Sequence, residues 1–242
     1  MVLGYLNKGI EVEVILSLNL STFEIVAIKI SQNSLSSLNP FEHECRILKK
    51  IEGVSGVQCL ICCEFVHDKW MLVSKPIGIS LDYLISCKGP FSIQQVMKIA
   101  NQLTSTLKIL HQKCIFHRDI TPYNIIQLLD QSYCLIDFGI ACADDDSESW
   151  KEKRHGTPLF MSRIFHTGPY EASDDMESLA FTLIYLLNGF CIWEPQNEIL
   201  YDSVLAMNKQ NFFVVFESLF LKFKNYEIDE ELESLLKKVI FI

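Results

Sequence analysis

Glycine is scarce in this chain, with 10 in 242 residues, and proline counts only 7. That excludes a collagen-like or low-complexity protein. Positive charge is also short: 21 Lys and Arg stand against 30 Asp and Glu, a formal net charge of −9. A phosphate-backbone binder needs the opposite balance, so no nucleic-acid partner is expected. Long hydrophobic runs are missing. The stretch from Leu179 to Leu187 falls far below the roughly 20 apolar residues of a membrane span. The start, Met1-Val2-Leu3-Gly4-Tyr5-Leu6-Asn7-Lys8, has neither the basic nor the apolar region of a signal peptide. No membrane partner is expected, and the protein reads as soluble and intracellular, cytoplasmic or nuclear. Cys59, Cys62 and Cys63 form a CxxC, but no second ligand pair stands at zinc spacing. The nine cysteines are therefore expected to be buried free thiols rather than zinc ligands or disulfides.

What is present points to a packed core. Apolar residues make up 49% and aromatics 11%, which excludes a disordered acidic tail. The length suits one large domain or two small lobes. Residues 11–16 alternate and residues 24–30 are β-branched-rich, so both predict strands. Pro40 to Ile51 predicts a helix with proline in its first turn. Apolar runs at 57–66 and 70–74 flank His67-Asp68 as a hairpin. Ser92 to Leu110 is the clearest helix, with Ser92 and Gln95 as a capping box and Val96, Ile99, Ala100, Leu103, Leu107 and Leu110 on one face. Short strands follow at 125–129 and 133–136, and the pattern is helical from Asp174 onward. Strands first and helices later indicate an α+β layout.

Four motifs fall in order along this layout: Val26-Ala27-Ile28-Lys29 on a strand, Glu44 on the next helix, His117-Arg118-Asp119-Ile120-Thr121-Pro122-Tyr123-Asn124, and Asp137-Phe138-Gly139. Each alone is weak. Together they resemble the protein-kinase signature over nearly the whole chain. The resemblance implies a two-lobed kinase-like α+β fold over residues 1–242, with a β-rich N-lobe to about residue 76 and a helical C-lobe from about 77. It implies ATP and Mg²⁺ as cofactors and a protein as substrate; nothing in the sequence addresses oligomeric state. Phosphoryl transfer is mostly positioning and charge stabilisation. By resemblance, Lys29 meets the α/β-phosphates and Glu44 holds its ammonium. Asp119 orients the acceptor hydroxyl and takes its proton. Asn124 and Asp137 supply the hard oxygen ligands that magnesium requires. Ala27 and Ile126 sandwich the adenine, Val14 adds to that wall, Ser74 is the gatekeeper, and Ile77 offers its backbone N–H past Pro76. His117 packs with Phe138 and Leu48. Asp175 accepts backbone N–H groups of the catalytic loop. The stretches 76–81 and 174–179 are similar to casein kinase type-one, and the latter also to a fungal group of divergent protein-kinase-like proteins.

The departures from the signature are specific. The Gly-rich loop should occupy Asn7 to Val14, yet Gly9 alone stands in a glycine slot and Val12 replaces the last glycine. Thr121 replaces the lysine usual two residues after the catalytic Asp. Ser162-Arg163-Ile164 replaces the Ala-Pro-Glu that closes the activation segment. The expected function is divergent Ser/Thr kinase activity, with Thr121 among the catalytic residues. The alternative is a pseudokinase that binds or scaffolds. The acidic run Asp144-Asp145-Asp146 and the basic Lys151, Lys153, Arg154 and His155 read as a solvated loop, with Ser147 or Ser149 open to phosphorylation and pairing with Arg118.

Overall fold

The computed structural model describes residues 1–8, 12–31, 40–151, 156–163, 170–195, 201–215 and 217–240. The first part is an antiparallel sheet built from β1 (Val2–Lys8), β2 (Val12–Leu18), β3 (Ile25–Ser31), β4 (Cys59–Val66) and β5 (Lys69–Lys75). The order across the sheet is β1-β2-β3-β5-β4. The β4–β5 turn is His67-Asp68, both at positive φ, 50° and 61°. Two left-handed residues in succession give the turn twist that suits a two-residue hairpin. Helix α1 (Pro40–Lys50) lies against β4 and β5. It buries Phe41, Glu44, Cys45, Ile47 and Leu48. Four of these are apolar and follow helical spacing; Glu44 is the exception that the site explains.

The helical part begins after Lys75. β6 (Ile79–Ser80) leads into α2 (Leu81–Lys88), capped by Ser80. Helix α3 (Ile93–Gln112) starts with both halves of the Ser92–Gln95 capping box in place. Helix α5 (Ala172–Asn188) is buried on nearly every face and packs on α3. An all-round apolar helix marks the centre of a core. It ends at Gly189, left-handed at φ 82°, whose N–H caps the Tyr185 carbonyl. Helices α6 (Tyr201–Val215), α7 (Glu217–Lys224) and α8 (Glu230–Val239) complete the body. A short α4 (Glu148–Lys151) precedes α5. No helix among the described residues is long and apolar enough to cross a membrane.

Two small antiparallel ladders carry the motif loops between sheet and helices. β8 (Ile125–Gln127) pairs with β9 (Tyr133–Leu135), and β6 joins the other edge of β8. β7 (Ile115–Phe116) pairs with β10 (Cys142–Ala143). Residues 117–124 therefore run from β7 to β8, and 136–141 from β9 to β10. The two ladders force these loops side by side.

Two expectations need correction. All nine cysteines are free, but Cys59, Cys62, Cys87 and Cys114 are exposed and Cys63 is only partly covered. Cys59 and Cys62 sit on the edge strand β4, where little packs over them. Among the described residues no three His, Cys, Asp or Glu side chains gather at metal spacing. The acidic run is solvated only in part: Asp144 and Asp145 are exposed, but the Asp146 side chain is covered and the run is tied to α1. Arg46 of α1 binds both Asp145 (3.0 Å) and Asp146, and Lys50 binds Asp145 at 2.6 Å. His43 donates to the Ala141 carbonyl at 2.7 Å and stacks on Trp150, with ring centroids 3.8 Å apart. Residues 141–150 are thus docked on α1. Lys153, Arg154 and His155 lie outside the described residues.

Candidate active site

An open cleft lies between the sheet and the β8–β9 hairpin. Val14 and Ala27 wall it from the sheet, Ile126 from the hairpin, and Ser74, Pro76 and Ile77 line the connecting strand. Every residue assigned to cofactor binding in the sequence therefore faces one cleft, except Gly9, which lies outside the described residues. Register explains the convergence. Val14 pairs with Lys29 across β2–β3, and Ala27 pairs with Ser74 across β3–β5. Gly78 is required at the cleft edge, because a Cβ there would stand 2.5 Å from the Gln127 carbonyl oxygen.

The charged centre is Lys29. Its Nζ lies 2.8 Å from Glu44 Oε2 and 2.9 Å from Asp137 Oδ1. Burial works against the ammonium, but Asp137 and Glu44 together hold its proton well above the ordinary lysine range. Lys29 in turn holds the Asp137 carboxyl below its ordinary range, against burial. Glu44 is almost fully buried, at 1% exposure. A lone carboxylate could not remain charged there, so its burial is tied to Lys29. Gly139 leaves the space: a Cβ there would lie 3.1 Å from Asp137 Oδ1 and 3.5 Å from both Glu44 Oε2 and Lys29 Nζ.

Asp119 and Asn124 stand beside this centre, linked to it by the Ile136 N–H, which donates to the Asn124 carbonyl at 2.9 Å. Asn124 Nδ2 donates to Asp119 Oδ2 at 2.8 Å and to the Asp119 carbonyl at 3.1 Å. Both partners can only accept, so the nitrogen must face Asp119 and the amide oxygen points away. Asp119 Oδ1 accepts from the Thr157 backbone at 2.9 Å and from its hydroxyl at 2.8 Å. Burial pushes the Asp119 carboxyl up, and the Thr157 bonds pull it back. Thr121 is buried at 1% exposure, and its hydroxyl has no hydrogen-bond partner among the described residues.

Both loops contain strained residues, and Asp175 near the start of α5 holds the first of them. Arg118 and Asp137 are left-handed, at φ 71° and 63°. Non-glycine residues in this region cost of order 1 kcal/mol each and persist where the surroundings over-determine them. Asp175 accepts the N–H groups of His117 and Arg118, both at 2.9 Å, along with His111 Nε2 (2.8 Å) and the Tyr170 hydroxyl (2.7 Å). Burial opposes its charge, but His111 and the other donors keep its carboxyl below the ordinary range. His117 packs edge-on against Phe138, with centroids 4.7 Å apart. Arg118 is buried, donates to the Trp150 carbonyl at 3.2 Å and lies 5.7 Å from the Tyr170 ring centroid. Arg46 and Lys50 meet the acidic run from α1.

Four residues of the site were not singled out in the sequence by role. Gln58 lies inside the cleft, and Thr157 grips Asp119. Arg163 forms a two-point pair with Glu177 of α5, at 2.7 and 3.2 Å. Lys209 of α6 donates to the carbonyls of Pro158 (2.7 Å) and Met161 (2.6 Å). A polar residue in the apolar run 57–66 was the only sequence signal for Gln58; the others depend on contacts between distant segments.

The donor set fits magnesium with a polyphosphate. Asp137 lines the cleft, and Asn124 stands beside it with its amide oxygen turned away from Asp119; two hard oxygen donors from the protein leave room for phosphate oxygens and water, as magnesium prefers. The described motifs span most of the chain, and so does the match to the family model for the protein kinase domain, which covers residues 3–241. The chain belongs to the protein kinase family.

Proposed function

We propose that the protein is a divergent serine/threonine kinase that transfers the γ-phosphoryl group of ATP to protein hydroxyls. The observation that carries this reading is the convergence of Lys29, Glu44 and Asp137 in one cleft, with Asp119 and Asn124 beside it. In this reading Ala27, Val14 and Ile126 clasp the base, and Lys29 meets the phosphates while Glu44 fixes its position. Asp137 and the amide oxygen of Asn124 hold Mg²⁺, which when bound neutralises the phosphate oxygens. Asp119 orients the acceptor hydroxyl and takes its proton as that oxygen bonds to phosphorus and the bond to the β-phosphate oxygen breaks. General-base help of this kind is typically worth about 10²–10⁴-fold. In this reading the Thr121 hydroxyl, buried and without a partner among the described residues, orients the acceptor once the loop uncovers it.

A pseudokinase is the second reading, favoured by Thr121 in place of a cation and by the loss of two loop glycines. Label transfer from γ-labelled ATP to a generic acidic protein separates the two. The kinase reading expects Mg²⁺-dependent transfer that Asp137→Asn abolishes. Thermal stabilisation by Mg-ATP without any transfer would establish the pseudokinase.

A further inference from the structure

The inner wall of the cleft carries a polar bridge that the kinase reading above does not use. Gln58 stands just before β4. Its backbone N–H donates to the Leu135 carbonyl at 2.9 Å, and the Leu135 N–H donates to the Gly56 carbonyl at 2.8 Å. The backbone at Gln58 is thereby fastened to β9, two residues before Asp137. The side chain is buried, at 8% exposure, and lines the cleft with Lys29, Ser74 and Asp137. Its Oε1 accepts the Asp137 backbone N–H at 2.8 Å, and its Nε2 donates to Ser74 Oγ at 2.9 Å. The orientation of the amide is forced, because the Asp137 N–H can only donate and so must meet the oxygen.

We propose that Gln58 is a positioning residue for phosphoryl transfer: it fixes the Asp137 peptide, hence the metal-facing carboxylate, and couples that carboxylate to Ser74 at the base end of the cleft. This rests on the kinase reading. Asp137 sits in the left-handed region, where a non-glycine residue needs external support. Lys29 holds its carboxylate on one side, and the Ile136 N–H holds the preceding peptide to Asn124. The Gln58 bond completes that support at the Asp137 N–H itself. An apolar side chain of the same length would leave the Asp137 N–H and the Ser74 hydroxyl facing each other across a buried gap with no partner. Ser74 is paired in the sheet with Ala27 of β3 and Leu60 of β4. Two hydrogen bonds therefore connect the strand that contacts the base with the turn that presents the carboxylate.

The test is Gln58→Met, which keeps the length and removes both bonds, with Gln58→Glu as the conservative rescue. A buried Glu there is neutral by the same argument as for Glu44, so its carbonyl oxygen accepts the Asp137 N–H and its O–H donates to Ser74 Oγ. Three measurements decide. For Gln58→Met we expect the Mg²⁺ concentration giving half-maximal ATP-dependent thermal stabilisation to rise about tenfold, roughly the worth of one to two net hydrogen bonds. We expect kcat to fall by a similar factor, with KM for ATP within about twofold. We expect amide hydrogen exchange at residues 136–139 to accelerate. Gln58→Glu should restore most of each, and Ser74→Ala should shift Mg²⁺ dependence in the same direction, non-additively with Gln58→Met. A Gln58→Met protein with unchanged Mg²⁺ dependence and unchanged exchange overturns the inference. Failure of the kinase reading shows differently: the wild type would transfer no phosphate, while the Mg²⁺ and exchange measurements would still decide the role of Gln58. A wild type without any Mg²⁺-dependent ATP binding overturns both.

Discussion

Thr157 donates its backbone N–H and its hydroxyl to the same oxygen of Asp119, at 2.9 and 2.8 Å. With Asn124 on the other oxygen, the carboxylate is oriented from both sides before any substrate arrives. Preorganised groups of this kind need not rearrange at the moment of reaction.

The first prediction follows from that grip. Burial raises the Asp119 carboxyl pKa and the Thr157 bonds lower it. Thr157→Val removes the hydroxyl bond and keeps the backbone bond. Asp119 then titrates higher, so the acidic limb of the kcat profile moves to higher pH. A hydrogen bond to the charged carboxylate favours its ionised form, so losing it moves the limb upward in pH. Thr157→Ser should keep the wild-type limb. A pH–rate profile for the three proteins checks this; an unmoved limb in the Val variant would show that Thr157 does not tune the base.

Much of this site was legible in the sequence, for physical reasons. Lys29, Glu44, Asp119, Asn124 and Asp137 carry side chains that the chemistry requires, at spacings set by two strands, a helix and two loops. The Ser92–Gln95 box and the apolar stripe of α3 are local signals, and both stand in the structure. Helix α2 was not predicted as an element, and β1 was expected only as part of a strand-like first 30 residues, without bounds. Val2–Lys8 has no alternation of its own and is defined by its pairing with β2. The docking of Asp145 and Asp146 on α1 joins residues about a hundred positions apart, and a charge run read alone looks solvated. Arg163–Glu177 and Lys209–Met161 are hidden for the same reason.

The second prediction concerns Thr121. A buried hydroxyl without a partner costs about 1–3 kcal/mol, and such groups persist where function needs them. Thr121→Val keeps the shape and removes the orphan group. Stability should rise by about 1 kcal/mol, which for a chain of this size is a Tm increase of about 2–4 °C. Transfer to a protein acceptor should fall, while Mg-ATP binding stays unchanged. Opposite movement of Tm and kcat is the result to look for. A variant that gains stability and loses no activity would show that the acceptor does not use this hydroxyl.

The third prediction addresses how α1 is held. Arg46 and Lys50 meet the carboxylates of Asp145 and Asp146 without any phosphate. Asp146 is only 5% exposed at its side chain, whereas Asp145 is 54% exposed. Exposed pairs are worth little, about 0–1 kcal/mol, and are screened by salt. The buried end should therefore dominate. Asp146→Asn should lower kcat by about tenfold if about 1.4 kcal/mol of the α1 placement is lost, and Asp145→Asn should lower it less than threefold. Phosphatase treatment of the wild type should leave its rate unchanged. Kinetics in low and moderate salt would check the ranking; equal effects of the two variants would contradict it.

The last prediction uses the buried Lys209. Its ammonium lies 4.8 Å from the Phe181 ring centroid and donates to the carbonyls of Pro158 and Met161. Burial lowers its pKa to about 7, with Glu177 pulling the other way. In the unfolded chain the same group titrates near 10.5. Between those values the unfolded state binds more protons than the folded state, so stability rises with pH across that window. Below about pH 7 both states are protonated, and the full burial cost is present and constant. The slope from this one group is at most about 1.4 kcal/mol per pH unit. Lys209→Met removes the titration and also leaves two carbonyls without their donor. Denaturant melts from pH 7 to 9.5 should therefore show a stability gain in the wild type that is smaller in the variant. Parallel pH curves would mean that Lys209 remains protonated in the fold, its charge held by the two carbonyls.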